Sequence, residues 1–261
     1  MKSEQKHKSF SYWMYRIIRR LVWIFYPSIK VEGRENLSDE ACVIVGNHCQ
    51  MNGPIVGQLF FPGKPRIWCA AQMMHLREVP QYAFEDFWRD KPKRIRWFYK
   101  LLSYVIAPLS ACVFNNADTI AVYRDARLMC TFKQTIQTLE SGTNVIIFPE
   151  HREEYNHIVN RFQEHFIDVA RLYYKRTGRK LSFVPLYIAP KLRKAYIGKP
   201  TVFEPDISIN EERQRICRYL MDAITDTAVN LPPHIVVPYT NMPKTSYSWN
   251  LSKEESVSEI K

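Results

Sequence analysis

Apolar positions along the chain fall into two alternating patterns. Short, almost unbroken runs rich in β-branched and aromatic residues occur at 41–45 (ACVIV), 66–71 (RIWCAA), 119–123 (TIAVY), 144–148 (NVIIF) and 182–188 (SFVPLYI). Runs of this length and composition predict strands buried on both faces of a largely parallel sheet. KVEG (30–33) and TVFEP (201–205) read as a further short strand and an edge strand. Between the runs lie longer stretches with helical spacing. One covers IVGQLF, with Pro54 placed to open it; others span 73–88, 94–107, 125–141, 161–176 and 209–230. Gly142 and Gly178 stand where helices need a residue free to turn left-handed. Strands alternating with helices predict an α/β fold, with a mostly parallel or mixed sheet flanked by helices. Pro185, inside an apolar run, predicts a strand edge or bulge.

Three segments stand outside this alternation. Residues 10–26 (FSYWMYRIIRRLVWIFY) place Arg16, Arg19 and Arg20 in one arc of a helix, the remainder being nearly all apolar or aromatic. A basic face opposite a Trp- and Tyr-rich one predicts a helix lying in a membrane interface; a terminal helix packed on the domain is the alternative. Residues 97–114 (WFYKLLSYVIAPLSACVF) carry one charge, Lys100, and one proline, Pro108. They fit a buried helix, an in-plane membrane element or a short span, which the proline would break. From Tyr239 on the chain turns polar, as in a poorly ordered tail. The expected division is therefore an amphipathic helix at 1–30, an α/β domain at 31–238 and a tail at 239–261.

Charge narrows the partners. With 37 Lys and Arg against 26 Asp and Glu, the formal net charge is +11. Such a surplus suits an anionic partner: nucleic acid, an acidic membrane or a phosphorylated substrate. No zinc-finger spacing or RNA-binding aromatic motif accompanies it, so nucleic acid is not expected. The six cysteines form no C-x-x-C pair and lie in apolar segments, which suits free thiols in a reducing compartment. The opening MKSEQKHKSF is charged and polar, and arginines interrupt the apolar stretch after it, so no signal peptide is expected.

Four stretches can carry chemistry. In VIVGNHCQMNGP (43–54) a strand delivers Asn47 and His48 to its carboxyl end, where open α/β sheets bind ligands. Histidine can serve there as a general base, although one histidine after a strand is more often structural. In IAVYRDAR (120–127) a strand places Arg124 at a sheet edge, where its fork suits phosphate or a carboxylate such as Asp125. In NVIIFPEHREE (144–154) Glu150 and Arg152 follow a strand that Pro149 stops. The fourth is SFVPLYI with Pro185.

In this order and spacing the four stretches resemble the glycerolipid acyltransferase family, typified by enzymes that acylate lysophosphatidic acid. That family carries an N-H-x4-D block, an Arg block, an F-P-E-G-T-R block and a V-P block. The counterparts are Asn47-His48 through Gly53, the stretch ending at Arg124, Phe148-Pro149-Glu150, and Val184-Pro185. VEGRENL (31–37), RFQEHFIDVARL (161–172) and YIGKP (196–200) match the flanks, and the resemblance covers roughly residues 10 to 230. It implies transfer of a fatty acyl group, from acyl-coenzyme A or acyl carrier protein, to the hydroxyl of a lysophospholipid. It implies His48 as base, with Asn47, Arg124, Glu150 and Arg152 binding substrate. It implies no metal or other cofactor, and a peripheral or monotopic place at the cytoplasmic face of an anionic membrane. The sequence departs from the pattern where the family's Asp is Gly53, the Gly after the Glu is His151, and the final Arg is Glu153. Asn52 or Asp86 then becomes the candidate partner of His48. The alternative is a non-catalytic lipid-binding relative.

Overall fold

The computed structural model describes residues 10–89 and 91–251, the side chain of Asp86 excepted. In chain order the elements are α1 (Phe10–Phe25), β1 (Lys30–Glu32), β2 (Val43–Gly46), α2 (Asn52–Leu59), β3 (Arg66–Ala70), α3 (Val79–Ala83), α4 (Arg96–Asn116), β4 (Ile120–Val122), α5 (Leu128–Glu140) and β5 (Val145–Ile147). Then come β6 (Glu150–Glu154), β7 (Asn160–Phe162), α6 (Asp168–Thr177), β8 (Ser182–Ala189), β9 (Lys194–Ile197), β10 (Thr201–Val202) and α7 (Ile209–Val229). The chain folds as α/β with a mixed, mostly parallel sheet, and it forms two compact units. One comprises 10–27 with Trp68–Thr131, the other Ser28–Ile67 with 132–251.

The second unit holds the strand order β1-β9-β8-β2-β5, with Arg66 and Ile67 of β3 pairing on β5. Strand β2 runs parallel to both neighbours, Val45 standing opposite Ile147 on one side and Pro185 on the other. Val43, Ile44 and Val45 are fully buried, which explains why β2 reads as a continuous apolar run. Pro185 lies on a strand with neighbours on both sides, but its own outer flank carries no ladder partner, so it stands at a local edge as the sequence led one to expect. Strand β9 pairs with Leu186–Ala189 and β10 with Ser182 and Phe183, so Pro185 falls in the gap between them. Gly198 faces it there, donates its N–H to the Pro185 carbonyl at 2.9 Å, and has no Cβ to strike the ring. Helix α7 begins at a capping box, Ser208 with Glu211. Its buried positions Glu212, Ile216, Leu220, Ile224 and Ala228 recur every four residues, as a helix against a sheet requires.

The helix expected from residue 161 begins later, as a 3-10 turn at Glu164–Ile167. Asn160–Phe162 form β7, which pairs antiparallel with β6, and α6 starts only at Asp168. The hairpin owes its existence to polar anchoring that hydropathy does not register. Residues 239–251, expected as a loose tail, are tied to the second unit. Val236 N–H bonds the Ser248 carbonyl, and buried Asn250 bonds the backbone of Ala228, Leu231 and His234.

In the first unit, Trp68–Ala70 of β3 pair parallel with β4. Helix α4 runs unbroken through Pro108, although the proline denies the Tyr104 carbonyl its intrahelical donor. Its buried face packs Ala107 on Val79 and Ala83, and Ser110 Oγ donates to the Met73 carbonyl at 3.0 Å. The rest is exposed: Trp97 at 69%, Val105 at 65%, Tyr104 at 60% and Leu101 at 58%. Of the three readings of 97–114, the structure therefore excludes a buried core helix. Helix α1 packs along α4, with Asn116 Nδ2 donating to Ser11 Oγ at 2.8 Å, and leaves Phe10, Ile17, Trp23 and Phe25 exposed.

Candidate active site

Strand β2 ends at Gly46 and hands the chain to Asn47 and His48. The Asn47 side chain is buried and clasps β8, accepting from Ile188 N–H at 2.7 Å and donating to the Ile188 carbonyl at 3.1 Å. It thereby replaces the ladder bonds that β2 gives up where it stops. His48 follows, and its backbone N–H donates to Glu150 Oε2 at 2.5 Å. The other Glu150 oxygen accepts from Asn160 N–H at 2.9 Å. Glu150 is thus a buried bridge between the His48 turn and the β6–β7 hairpin, both oxygens occupied by backbone amides. Burial pushes its carboxyl up to about 7, against those two amides, which favour the charged form.

After His48 the backbone turns left-handed twice, at Cys49 (φ 48°) and Gln50 (φ 57°), a strained choice for side chains other than glycine. Asn52 Nδ2 donates to the Cys49 carbonyl at 2.8 Å, and Gly53 N–H closes the turn on the His48 carbonyl at 2.9 Å. The thiol of Cys49 is buried against the Ile188 carbonyl, and burial pushes it well above the ordinary thiol range.

The imidazole sits between two ring edges, Phe148 with centroids 5.4 Å apart and Tyr239 at 5.7 Å. Its Nδ1 is buried with no hydrogen-bond partner among the described residues, so neither Asn52 nor Glu150 supports it there. Burial lowers the imidazole to about 4, and the nearby backbone of Gln50 and of His48 itself only partly opposes this.

Gly53 explains the absent carboxylate. Its φ is ordinary, so conformational freedom is not the reason for glycine. A Cβ at this position would fall inside van der Waals contact with the His48 carbonyl oxygen and lie 3.0 Å from Phe148 Cε1. Any side chain at position 53 collides with the turn that presents the histidine.

Asn47, His48, Asn52 and Glu150 are therefore assembled around one turn. Arg152 lies on β6, exposed and without an ion pair among the described residues. Arg124 belongs to the first unit, exposed just past β4; Asp125 is engaged by Arg127 at 2.7 Å and leaves Arg124 without an ion pair among the described residues. The side chain of Asp86 lies outside the described residues. Among the described residues no group of three or more His, Cys, Asp or Glu could hold a metal ion. Reading the sequence missed Tyr239, Gln50 and Tyr247, which also surround this turn; the only signal was the tyrosines in an otherwise polar tail.

No family model and no curated protein matches the chain. Among solved structures, it is similar to the 1-acyl-sn-glycerophosphate (LPA) acyltransferase PlsC from Thermotoga maritima. The likeness covers 85% of this chain and 83% of that one, at 16% identity and a TM-score of 0.47.

Proposed function

We propose that this protein is a membrane-surface acyltransferase that moves a fatty acyl group from an acyl thioester to the hydroxyl of a lysophospholipid. One observation carries the reading: at the carboxyl end of a buried central strand, a half-buried histidine is held with Nδ1 buried and without a hydrogen-bond partner among the described residues, so that Nε2 is the nitrogen left for the reaction. The order of the four sequence blocks joins it. In this reaction Nε2 takes the proton of the acceptor hydroxyl as its oxygen attacks the thioester carbonyl. The ester C–O bond forms, the C–S bond breaks, and the imidazolium returns the proton to the departing thiolate. The donor is acyl-coenzyme A or acyl carrier protein. Glu150 acts by fixing the His48 backbone, while Arg124 and Arg152 offer exposed guanidinium groups for phosphate.

The first unit supports the membrane part of the proposal. Within Lys93–Asn116 an 18-residue stretch has mean hydropathy 1.4 and is 17% buried, and the helix is long and apolar enough to cross a bilayer. With the exposed face of α1 and the basic residues Lys93, Arg94 and Arg96, it forms a surface suited to anionic lipid at the cytoplasmic face.

Purified protein incubated with labelled acyl thioesters and a panel of lysophospholipids tests the reaction, beside His48→Ala. Transfer that depends on His48 supports it, and equal rates in both proteins overturn it. The second reading, a non-catalytic lipid-binding protein, draws on the same Nδ1, which lacks the acceptor that would stabilise an imidazolium. Lysophospholipid binding without transfer would establish it.

A further inference from the structure

The turn that presents His48 is strained, and among the described residues no carboxylate meets the imidazole Nδ1, yet the turn is held. Its outer side is covered by residues 239–247, far along the chain. Tyr239 sets its ring against the imidazole with centroids 5.7 Å apart and planes at 85°. Gln50, the second left-handed residue, donates through Nε2 to the Thr240 carbonyl at 3.1 Å and to the Tyr247 hydroxyl at 3.0 Å. The far end of this strap is itself anchored, because buried Asn250 bonds the backbone of Ala228, Leu231 and His234. The strap therefore joins a fixed point on α7 to His48 and Gln50.

We propose that Tyr239 and Gln50 are positioning residues for His48, the strap that carries Tyr239 and receives Gln50 taking over the orienting role that a carboxylate on the following helix cannot fill in this backbone. A carboxylate orients an imidazole by accepting its Nδ1–H. The strap orients it by steric enclosure on one side and by pinning the turn on the other. The difference has a chemical consequence: enclosure fixes the ring but offers the protonated form no counter-charge. The titratable groups around the ring are Glu150 at its backbone amide, Cys49 next in the chain and Tyr239 itself; among the described residues His48 makes no ion pair.

This inference deepens the acyltransferase reading but is decided independently of it. The imidazole of His48 is followed by NMR against pH in the full chain, in the wild type, Tyr239→Ala, Tyr239→Phe, Gln50→Ala and, for assignment, His48→Ala. Thermal unfolding confirms that each variant is folded. In the wild type the ring titrates near 4. Tyr239→Ala opens the ring to water, and its midpoint rises by at least about one unit. Tyr239→Phe keeps the ring edge and the low midpoint. Gln50→Ala removes two hydrogen bonds and broadens or splits the His48 resonance as the turn samples other conformations. In the transfer assay it lowers kcat about tenfold and changes KM little. A folded Tyr239→Ala protein whose His48 titrates as in the wild type overturns the proposal. So does a Tyr239→Phe protein that behaves like Tyr239→Ala. If wild type and His48→Ala both fail to transfer acyl groups, the acyltransferase reading falls, while the titrations still decide the strap.

Discussion

Replacing Gly53 separates two explanations of its presence. If the position had merely lost an acid, Gly53→Asp would improve the site. The structure predicts damage. Gly53 is the second residue of α2, where alanine is ordinarily better than glycine by about 0.5–1 kcal/mol. Against that gain stands the Cβ, which meets the His48 carbonyl oxygen, lies 3.1 Å from the His48 carbonyl carbon and 3.0 Å from Phe148 Cε1. The first two are backbone atoms of a turn held by Glu150 and Asn52 and cannot swing aside as a side-chain tip would. Overpacking of this kind costs about 1–3 kcal/mol, so the clash exceeds the helical gain. Gly53→Ala should lose about 1–2 kcal/mol net, roughly 2–8 °C in Tm for a chain of this size. Gly53→Asp should lose at least as much, with a carboxylate added beside a buried turn. Because the turn must move, transfer should fall in both variants together with stability. Thermal unfolding and the acyl-transfer assay measure the two effects. A Gly53→Asp protein as stable as the wild type and faster in transfer would refute the reasoning, since it would place a side chain where the backbone leaves no room.

Other outcomes follow from the same geometry. Leu101→Glu with Val105→Glu places charge on the exposed face of α4 and should sharply reduce co-sedimentation with anionic liposomes while leaving Tm nearly unchanged; unaltered binding would remove α4 from the membrane surface. Arg124→Ala should weaken binding of lysophosphatidic acid far more than that of a neutral monoacylglycerol, and equal losses would make the arginine structural. The pH dependence of stability has two opposed sources. The lowered His48 pKa gives stability that is present above about 6.5 and is lost as pH falls toward 4, while the raised Glu150 pKa gives stability that is present below about 4.5 and is lost as pH rises through 7. Urea unfolding should therefore show a shallow profile for the wild type between these limits; His48→Ala should instead lose stability steadily from pH 4.5 to 7, and a profile parallel to the wild type would contradict the assignment.

The sequence carried the α/β class and the strands because burial on both faces leaves a run such as Val43–Val45 with no polar member. It carried helices of the second unit through their spacing, as in the period of four in α7. It missed the β6–β7 hairpin, since Glu150–Glu154 is nearly all charged and owes its place to one buried carboxylate. It marked Pro185 as a break in pairing but not its origin, because nothing local reveals that β9 and β10 divide β8 between them. The division into units was hidden too, for the first unit joins 10–27 to a segment that begins more than forty residues later. At the site, His48, Asn47 and Glu150 were legible as residues following strands. Gln50, Tyr239 and Tyr247 were not, because contacts separated by nearly two hundred positions leave no periodicity.

Glu150 and His48 together set the working state of the turn. A base must be neutral before it can take a proton, and the burial that lowers His48 to about 4 keeps it neutral throughout the physiological range. The same burial makes it a reluctant base, because a midpoint about 2.5 units below the ordinary 6.5 corresponds to about 3 kcal/mol against the imidazolium. In the proposed reaction, bound substrate would change that balance. An anionic acceptor phosphate near the ring favours the imidazolium in a way that water-filled space does not, and it does so only when the acceptor is in place. In the proposed acyltransferase, the lack of a carboxylate at position 53 would make proton abstraction conditional on the charge of the acceptor. A neutral acceptor of the same shape would bind beside a histidine too weakly basic to activate it. Discrimination between phosphorylated and neutral lysolipids would accordingly appear in kcat as well as in KM, which separates this arrangement from one in which an arginine alone selects the head group.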